Sequence, residues 1–232
     1  MDLCKVTGGL ESVLRPLLKK TLPKGSFERL TFGLRLGYWP DLNEPSSFNE
    51  IISFRKLNEG KLPRPELVDK LAVRDFVEQR IGSEYLTKVY QSYDKDNAIR
   101  LVDLPTAFAL KCNTGSGLNL IVKDAREYSD AQLNDLAAGW VSQTYSECSH
   151  TYECIYDETP AKVFAEELLE PLETYREYKF WCFNGNPEFI QLQAGGAYHV
   201  FKPEGRKADF AVFNPIAQKD VNPPKCLNEL IA

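Results

Sequence analysis

The chain has 232 residues, enough to bury a sizeable core in one large or two small domains. Its 43% apolar and 26% charged residues sit near the globular norm, and a net charge of −5 argues against a nucleic-acid binder, which needs a basic face. No run approaches the roughly eighteen apolar residues of a membrane span, and Met1-Asp-Leu-Cys-Lys-Val-Thr7 lacks the pattern of a signal peptide, so a cytoplasmic protein that is not transmembrane is expected.

Segment 10–22 sets Leu10, Val13, Leu14, Leu17, Leu18 and Leu22 at helical spacing, with Arg15, Lys19 and Lys20 opposite. That predicts a helix packed on the core, with the inner face of a membrane as the alternative partner. Gly37-Tyr-Trp-Pro-Asp-Leu-Asn-Glu-Pro45 reads as turns. Ser47 and Glu50 have capping-box spacing and open a helix carrying Ile51, Ile52, Phe54 and Leu57. A second amphipathic helix is expected from Glu66 to Ile81, with Asp69, Lys70, Arg74 and Asp75 on its solvated side.

Beyond Tyr85 the period shortens. Leu86–Tyr90, Ala107–Leu110 and Leu118–Val122 read as strands, Ser129 to Thr144 as a helix, and Lys162–Leu169 as a strand. Glu177–Phe183 and Pro187–Gln193 read as a hairpin with Asn184-Gly185 at its tip. Helices followed by mixed strands and helices predict an α+β fold, with an N-terminal helical region over 1–84 and a core over 85–232. The six cysteines form no CxxC pair and read as reduced thiols, and Cys148, His150 and Cys154 match no zinc spacing.

The most informative stretch is Phe108-Ala-Leu-Lys111-Cys-Asn-Thr-Gly115-Ser-Gly117, followed by Leu118-Asn-Leu-Ile-Val-Lys123. It has the pattern of a hairpin whose turn lies over phosphates. Gly115 and Gly117 permit positive φ and close backbone approach, and Lys111 supplies charge from a strand end. It is not a P-loop, since no Gly-Lys-Ser/Thr follows. A surface hairpin with a solvated lysine is the alternative for the loop on its own.

Three blocks follow in one order: the Lys-bearing strand with its Gly/Ser hairpin, a strand ending in acidic residues, and a hairpin with Asn-Gly at its tip. That order resembles the nucleotide-binding core of the ATP-grasp fold. The wording is similar to the TupA-like ATP-grasp family of bacterial surface-polysaccharide gene clusters. Ser47–Leu57, Leu67–Val77, Ile81–Leu86, Leu110–Gly117 with Ile121–Asp124, Ala165–Leu169 and Tyr178–Pro187 carry the likeness.

The resemblance implies an ATP-grasp-like fold that uses ATP and Mg2+. It assigns catalytic roles to Lys111 and Lys179, Lys111 on the α- and β-phosphates and Lys179 reaching phosphate or the acyl substrate. Asn113, Thr114, Gly115, Ser116 and Gly117 would close over the phosphates, with Lys123 in the following strand also at the nucleotide. Glu166, Glu167 and Leu168 would receive adenine and ribose. The alternatives are a solvated strand end for Glu166-Glu167 and an ordinary hairpin residue for Lys179.

Two departures from the family pattern stand out. Thr114 occupies a position where the family usually has histidine. Pro224-Lys-Cys-Leu-Asn-Glu-Leu-Ile-Ala232 resembles the helix before the family's final, magnesium-binding block, so an incomplete C-terminal lobe is expected, with its metal ligands missing or supplied by a partner chain. The implied function is an amide-forming carboxylate–amine ligase acting on a carboxylate-bearing glycan or amino-acid substrate through an acyl phosphate. The alternatives are an inactive relative that binds nucleotide or glycan and, more weakly, a glycosyltransferase. For the last, Asp94-Lys-Asp96 has the spacing but reads more simply as a turn.

Overall fold

Pro23 cannot donate a helical hydrogen bond, and it separates a helical stretch over 15–21 from α1 (Lys24–Leu36). The computed structural model describes residues 15–58, 65–94, 97–143, 152, 154–169, 176–194, 197–210, 221–223 and 227. Contacts divide the chain into two units, Met1–Leu168 and Leu169–Ala232. Among the described residues the first holds helices with a four-stranded sheet and the second a three-stranded sheet, which is the expected α+β class.

α1 ends where Gly37 takes φ 77° and its N–H returns to the Gly33 carbonyl at 2.9 Å. α2 (Phe48–Leu57) opens with the expected capping box. The Ser47 hydroxyl accepts from Glu50 N at 3.3 Å, and Glu50 Oε2 accepts from Ser47 N at 2.8 Å. Glu50 does more than the box requires. Its carboxylate also accepts from Asp41 N and Ser46 N, each at 3.1 Å, and these backbone donors hold its pKa at about 2.

The helix expected from Glu66 to Ile81 is broken. A 3-10 turn at Pro65–Val68 precedes α3 (Ala72–Ile81), because Asp69 Oδ1 accepts from Leu71 N at 2.8 Å and Ala72 N at 3.2 Å. A side-chain acceptor that captures these donors starts a new helix rather than continuing an old one.

The sheet of this unit contains β1 (Val89–Tyr93), β2 (Phe108–Cys112), β3 (Asn119–Val122) and β4 (Val163–Glu166). All neighbours are antiparallel, in the order β1-β4-β2-β3. Side chains alternate across it. Phe108, Leu110, Cys112, Val122, Val163 and Ala165 join Leu133, Ala137 and Trp140 of α4 (Asp130–Val141) in one buried cluster. Ala109 opposes Glu166 and Lys111 opposes Phe164, so these four share the other face. α4 starts at a second capping box, Ser129 with Gln132, and Asn134 on it bonds both Ile99 N (2.8 Å) and Ile99 O (2.9 Å).

The second unit is an antiparallel sheet of β5 (Glu177–Phe183), β6 (Asn186–Ala194) and β7 (Ala197–Phe201). Asn184 (φ 51°) and Gly185 (φ 84°) make the expected turn, since both central residues of a type I′ turn need positive φ. β7 is additional to the strands read from the sequence. Cys112 and Cys182 are free thiols. Residues 10–14 of the first expected helix, the Cys148–His150 pair, Lys95 and Asp96 lie outside the described residues, as does the chain end after Leu227.

The cap at α2 yields a pH prediction. Glu50 has a folded pKa of about 2 against an ordinary 4.5, so its contribution is complete above pH ~4.5 and is lost as pH falls towards 2. Thermal unfolding between those limits should lose part of its pH dependence in Glu50→Gln. Ser47→Ala, which removes the other half of the box, should cost about 1 kcal/mol by urea unfolding.

Candidate functional site

Lys111 stands next to last in β2, and its register partner on β4 is Phe164. The diagonal neighbour on the same face is Glu166, the last residue of β4. Lys111 Nζ forms a short ion pair with Glu166 Oε1. The Lys111 side chain is 36% exposed while that of Glu166 is 8% exposed, so the lysine presents an anchored charge at the surface.

Two further elements converge on this carboxylate. Thr87 Oγ1 donates to Glu166 Oε2 at 2.8 Å, and Arg74 Nη1 of α3 lies 3.7 Å from the same oxygen. Arg74 also donates to the Thr87 carbonyl in a short contact and to the Thr87 hydroxyl at 3.4 Å. Arg74 therefore belongs to a half-buried charge cluster, not to a solvated helix side. Two cations and one carboxylate give the Lys111–Glu166–Arg74 cluster itself a net positive charge.

The loop after Lys111 is closed at its base by Cys112 N donating to Leu118 O at 2.9 Å. Gly115 (φ 69°) and Gly117 (φ 80°) adopt the left-handed conformation expected of them. Asn113 is fully buried and serves as a staple. Its Oδ1 accepts from Lys162 N at 2.7 Å, its Nδ2 donates to Pro160 O at 3.2 Å, and its N donates to Lys162 O at 2.9 Å. Thr114 is also buried, its hydroxyl 3.6 Å from Cys112 Sγ. Ser116 and Gly117 form the exposed tip.

Lys70 holds the loop from the other side. Its Nζ donates to the carbonyls of Cys112 (3.1 Å), Asn113 (3.4 Å) and Gly115 (2.6 Å), and its N donates to Asn113 O at 3.0 Å. Burial pushes its pKa down from the ordinary lysine value. Sequence reading placed Lys70 on a solvated helix side. It falls instead in the turn before α3, where the helix break aims it at the loop. Lys70 thus engages the carbonyls of Cys112, Asn113 and Gly115.

The other expected residues are placed as follows. Glu167 N donates to Lys88 O at 2.8 Å and its exposed carboxylate accepts from Lys88 N at 3.3 Å, with Leu168 next to it and half-buried. Lys123 is exposed just past β3. Lys111 opposes Asn119, so Lys123 lies roughly 13 Å along the strand from the Lys111 end. Lys179 belongs to the second unit, is half-exposed, and pairs with Glu177 at 3.3 Å.

An open cleft of about 470 Å³ adjoins the charge cluster, lined by Arg74, Asp75, Ser83, Thr87, Lys88 and Glu167 among others. A larger cavity of about 780 Å³ lies on the α4 side of the sheet, bordered by Tyr93, Asn134 and Val163, and includes none of the Lys111 cluster. Among the described residues no group of three or more His, Cys, Asp or Glu side chains is arranged to hold a metal ion.

Residues 50–231 match the family model described as TupA-like ATPgrasp. No curated protein and no solved structure matches the chain.

The clamp on the loop is testable without a ligand. Lys70→Met leaves buried carbonyls without their donor, and should cost roughly 1–3 kcal/mol of stability. Amide hydrogen exchange over 112–117 should accelerate with α4 amides unchanged, and unaltered loop exchange would remove Lys70 from this role.

Proposed function

The chain belongs to the TupA-like ATP-grasp family, and from that premise we propose that it is an ATP-dependent carboxylate–amine ligase. The observation that carries the reading is Lys111, an exposed ammonium fixed by a buried carboxylate at the mouth of a glycine-bearing loop. The fit to ATP rests on donors. An ammonium has three protons. Glu166 takes one, so Lys111 can still donate to α- and β-phosphate oxygens. The Gly115–Ser116–Gly117 backbone would meet the phosphates as a nest of N–H groups. The Glu167 carbonyl and Leu168 N–H would read the adenine edge, and the exposed Glu167 carboxylate would accept from ribose hydroxyls.

In this reading Glu166, Arg74 and Thr87 are positioning residues, because they act through Lys111. Asn113 and Thr114 shape the loop from within, their side chains being spent in the fold. The family resemblance gives Lys179, in the second unit, the role of reaching phosphate or the acyl substrate. Magnesium, which the family resemblance implies, finds no donor set among the described residues, so no step is assigned to it.

The reaction balances as two displacements. A substrate carboxylate oxygen attacks the γ-phosphorus of ATP, the bond to the bridging oxygen breaks, and ADP leaves. An amine nitrogen then attacks the acyl carbon of the acyl phosphate, inorganic phosphate departs with the C–O electron pair, and the amine releases its proton to solvent. The chain's work is to hold the groups together and offset the phosphate charge. A surface-polysaccharide acid is the proposed carboxylate donor, on the strength of the family resemblance.

Titration calorimetry with a non-hydrolysable ATP analogue is the test. The protein should bind the analogue, and Lys111→Ala should weaken binding at least tenfold with the fold intact by circular dichroism. Lys179→Ala should leave analogue binding near wild type and reduce phosphate release in the presence of acid and amine. Absence of analogue binding to the wild-type protein, with and without magnesium, would overturn the ligase reading.

A further inference from the structure

Gln191 in β6 is only 1% exposed, yet its Oε1 is buried without a hydrogen-bond partner among the described residues. A buried acceptor left unpaired costs more than an ordinary hydrogen bond contributes, so such an atom calls for a donor. The register identifies a near one. Gln191 stands directly opposite Lys179 on β5 and Val200 on β7. Residues so paired share a face, with Cβ atoms roughly 5 Å apart. Val200 has no side-chain donor, whereas the Lys179 ammonium, on its flexible four-carbon stem, has Gln191 Oε1 within reach.

In this structure Lys179 pairs instead with Glu177, two residues back on the same face, at 3.3 Å. Both side chains of that pair are open to solvent, 51% and 43% exposed, so the pair contributes little to stability. It also neutralises the lysine. Gln191 differs from Glu177 in the one respect that matters to an anion-binding lysine, because it accepts a hydrogen bond without carrying charge. A lysine held by Gln191 is oriented and keeps its full charge, with two of its three protons left to donate.

We propose that Gln191 is a positioning residue for Lys179, whose ammonium passes from Glu177 to the Gln191 carbonyl oxygen when an anion draws it off the carboxylate. The two acceptors define two settings of one lysine, neutralised at rest and oriented with its charge intact in use. Lys179 keeps its proton throughout, and only hydrogen bonds are exchanged. The role in catalysis rests on the ligase reading, which gives Lys179 the phosphate or acyl substrate. The exchange of acceptors rests on the strand register and on the unpaired oxygen of Gln191.

Urea unfolding of the full chain tests the exchange without a ligand. In the wild-type background Gln191→Leu removes a buried unpaired acceptor, so the midpoint should rise. In Glu177→Ala, where Lys179 has lost its carboxylate and turns to Gln191, the same substitution should lower the midpoint. A reversal of sign is a coupling that a purely structural role of Gln191 does not produce. Equal shifts in both backgrounds overturn the proposal. Where Gln191→Leu fails to fold, Gln191→Met takes its place and nitrogen NMR reads the lysine directly. The Lys179 Nζ resonance, assigned by its loss in Lys179→Arg, should exchange with water more slowly in Glu177→Ala than in the wild-type protein. Adding Gln191→Met should abolish that slowing, and slowing that persists, or never develops, overturns the proposal. Inorganic phosphate should slow the wild-type resonance in the same way, and a resonance that phosphate leaves unchanged overturns the anion-driven step. Coupling of Lys179 to Gln191 without binding of the ATP analogue would sink the ligase reading alone. Analogue binding without that coupling would sink only the role of Gln191.

Discussion

The buried carboxylate of Glu166 is the constraint on which the candidate site depends. A charge that is only 8% exposed is costly to hold unless it is paired and hydrogen-bonded. Its partners come from separate parts of the chain: Lys111 from β2, Thr87 from the approach to β1, and Arg74 from α3. Satisfying that one group fixes β4 against the lysine strand and draws the helix to the same end of the sheet. Removing any partner leaves part of a buried charge uncompensated, which is why breaking such a cluster costs more than the pair contributes when intact. The register of β2 and β4 follows from the same arrangement. A slip of one residue would send Lys111 into the face now occupied by Leu110, Val163 and Leu133.

The loop extends that frame. Asn113 holds it from the β4 side through Pro160 and Lys162, and Lys70 holds it from the α3 side through three carbonyls. Glycine is needed at 115 and 117 because both residues lie at positive φ. Without the two clamps, the freedom those glycines bring would leave the tip an ensemble. Conformational permission comes from the glycines and conformational choice from Asn113 and Lys70, two residues whose side chains face inward.

Local features of the sequence carried far into the fold. The Ser47–Glu50 box and the Asn184-Gly185 turn are set by residues three or fewer apart, and each forms as its spacing implies, while the Ser129–Gln132 box has the same spacing and is additional to them. Lys111 and its glycines were legible for the same reason. Lys70 and Arg74 were not. Their charges sit at helical spacing beside Asp69 and Asp75, which is how a solvated side reads, and only the break at Asp69 redirects Lys70. The bond from Thr87 to Glu166 spans 79 positions and leaves no local trace. The family resemblance sets Asn113 over the phosphates, yet its amide is consumed by backbone far along the chain. β7 had a signal, an alternating Ala197-Tyr-His-Val-Phe201 run after Gly195-Gly196.

In the proposed nucleotide-binding role, the anchoring of Lys111 answers a difficulty that any phosphate-binding lysine meets. A free lysine carries about 2 kcal/mol of rotamer entropy, which it loses on gripping a ligand. Pairing with a carboxylate settles that loss in advance, but the carboxylate also neutralises the charge the ligand needs. Arg74 resolves the conflict. By sharing Glu166 through its second oxygen, it restores the net positive charge of the cluster without occupying the exposed side of Lys111. A lone Lys–Glu pair would be ordered but neutral, and a lone lysine charged but disordered. The three-charge arrangement supplies order and charge together, at the strand end beside the Gly115–Gly117 loop.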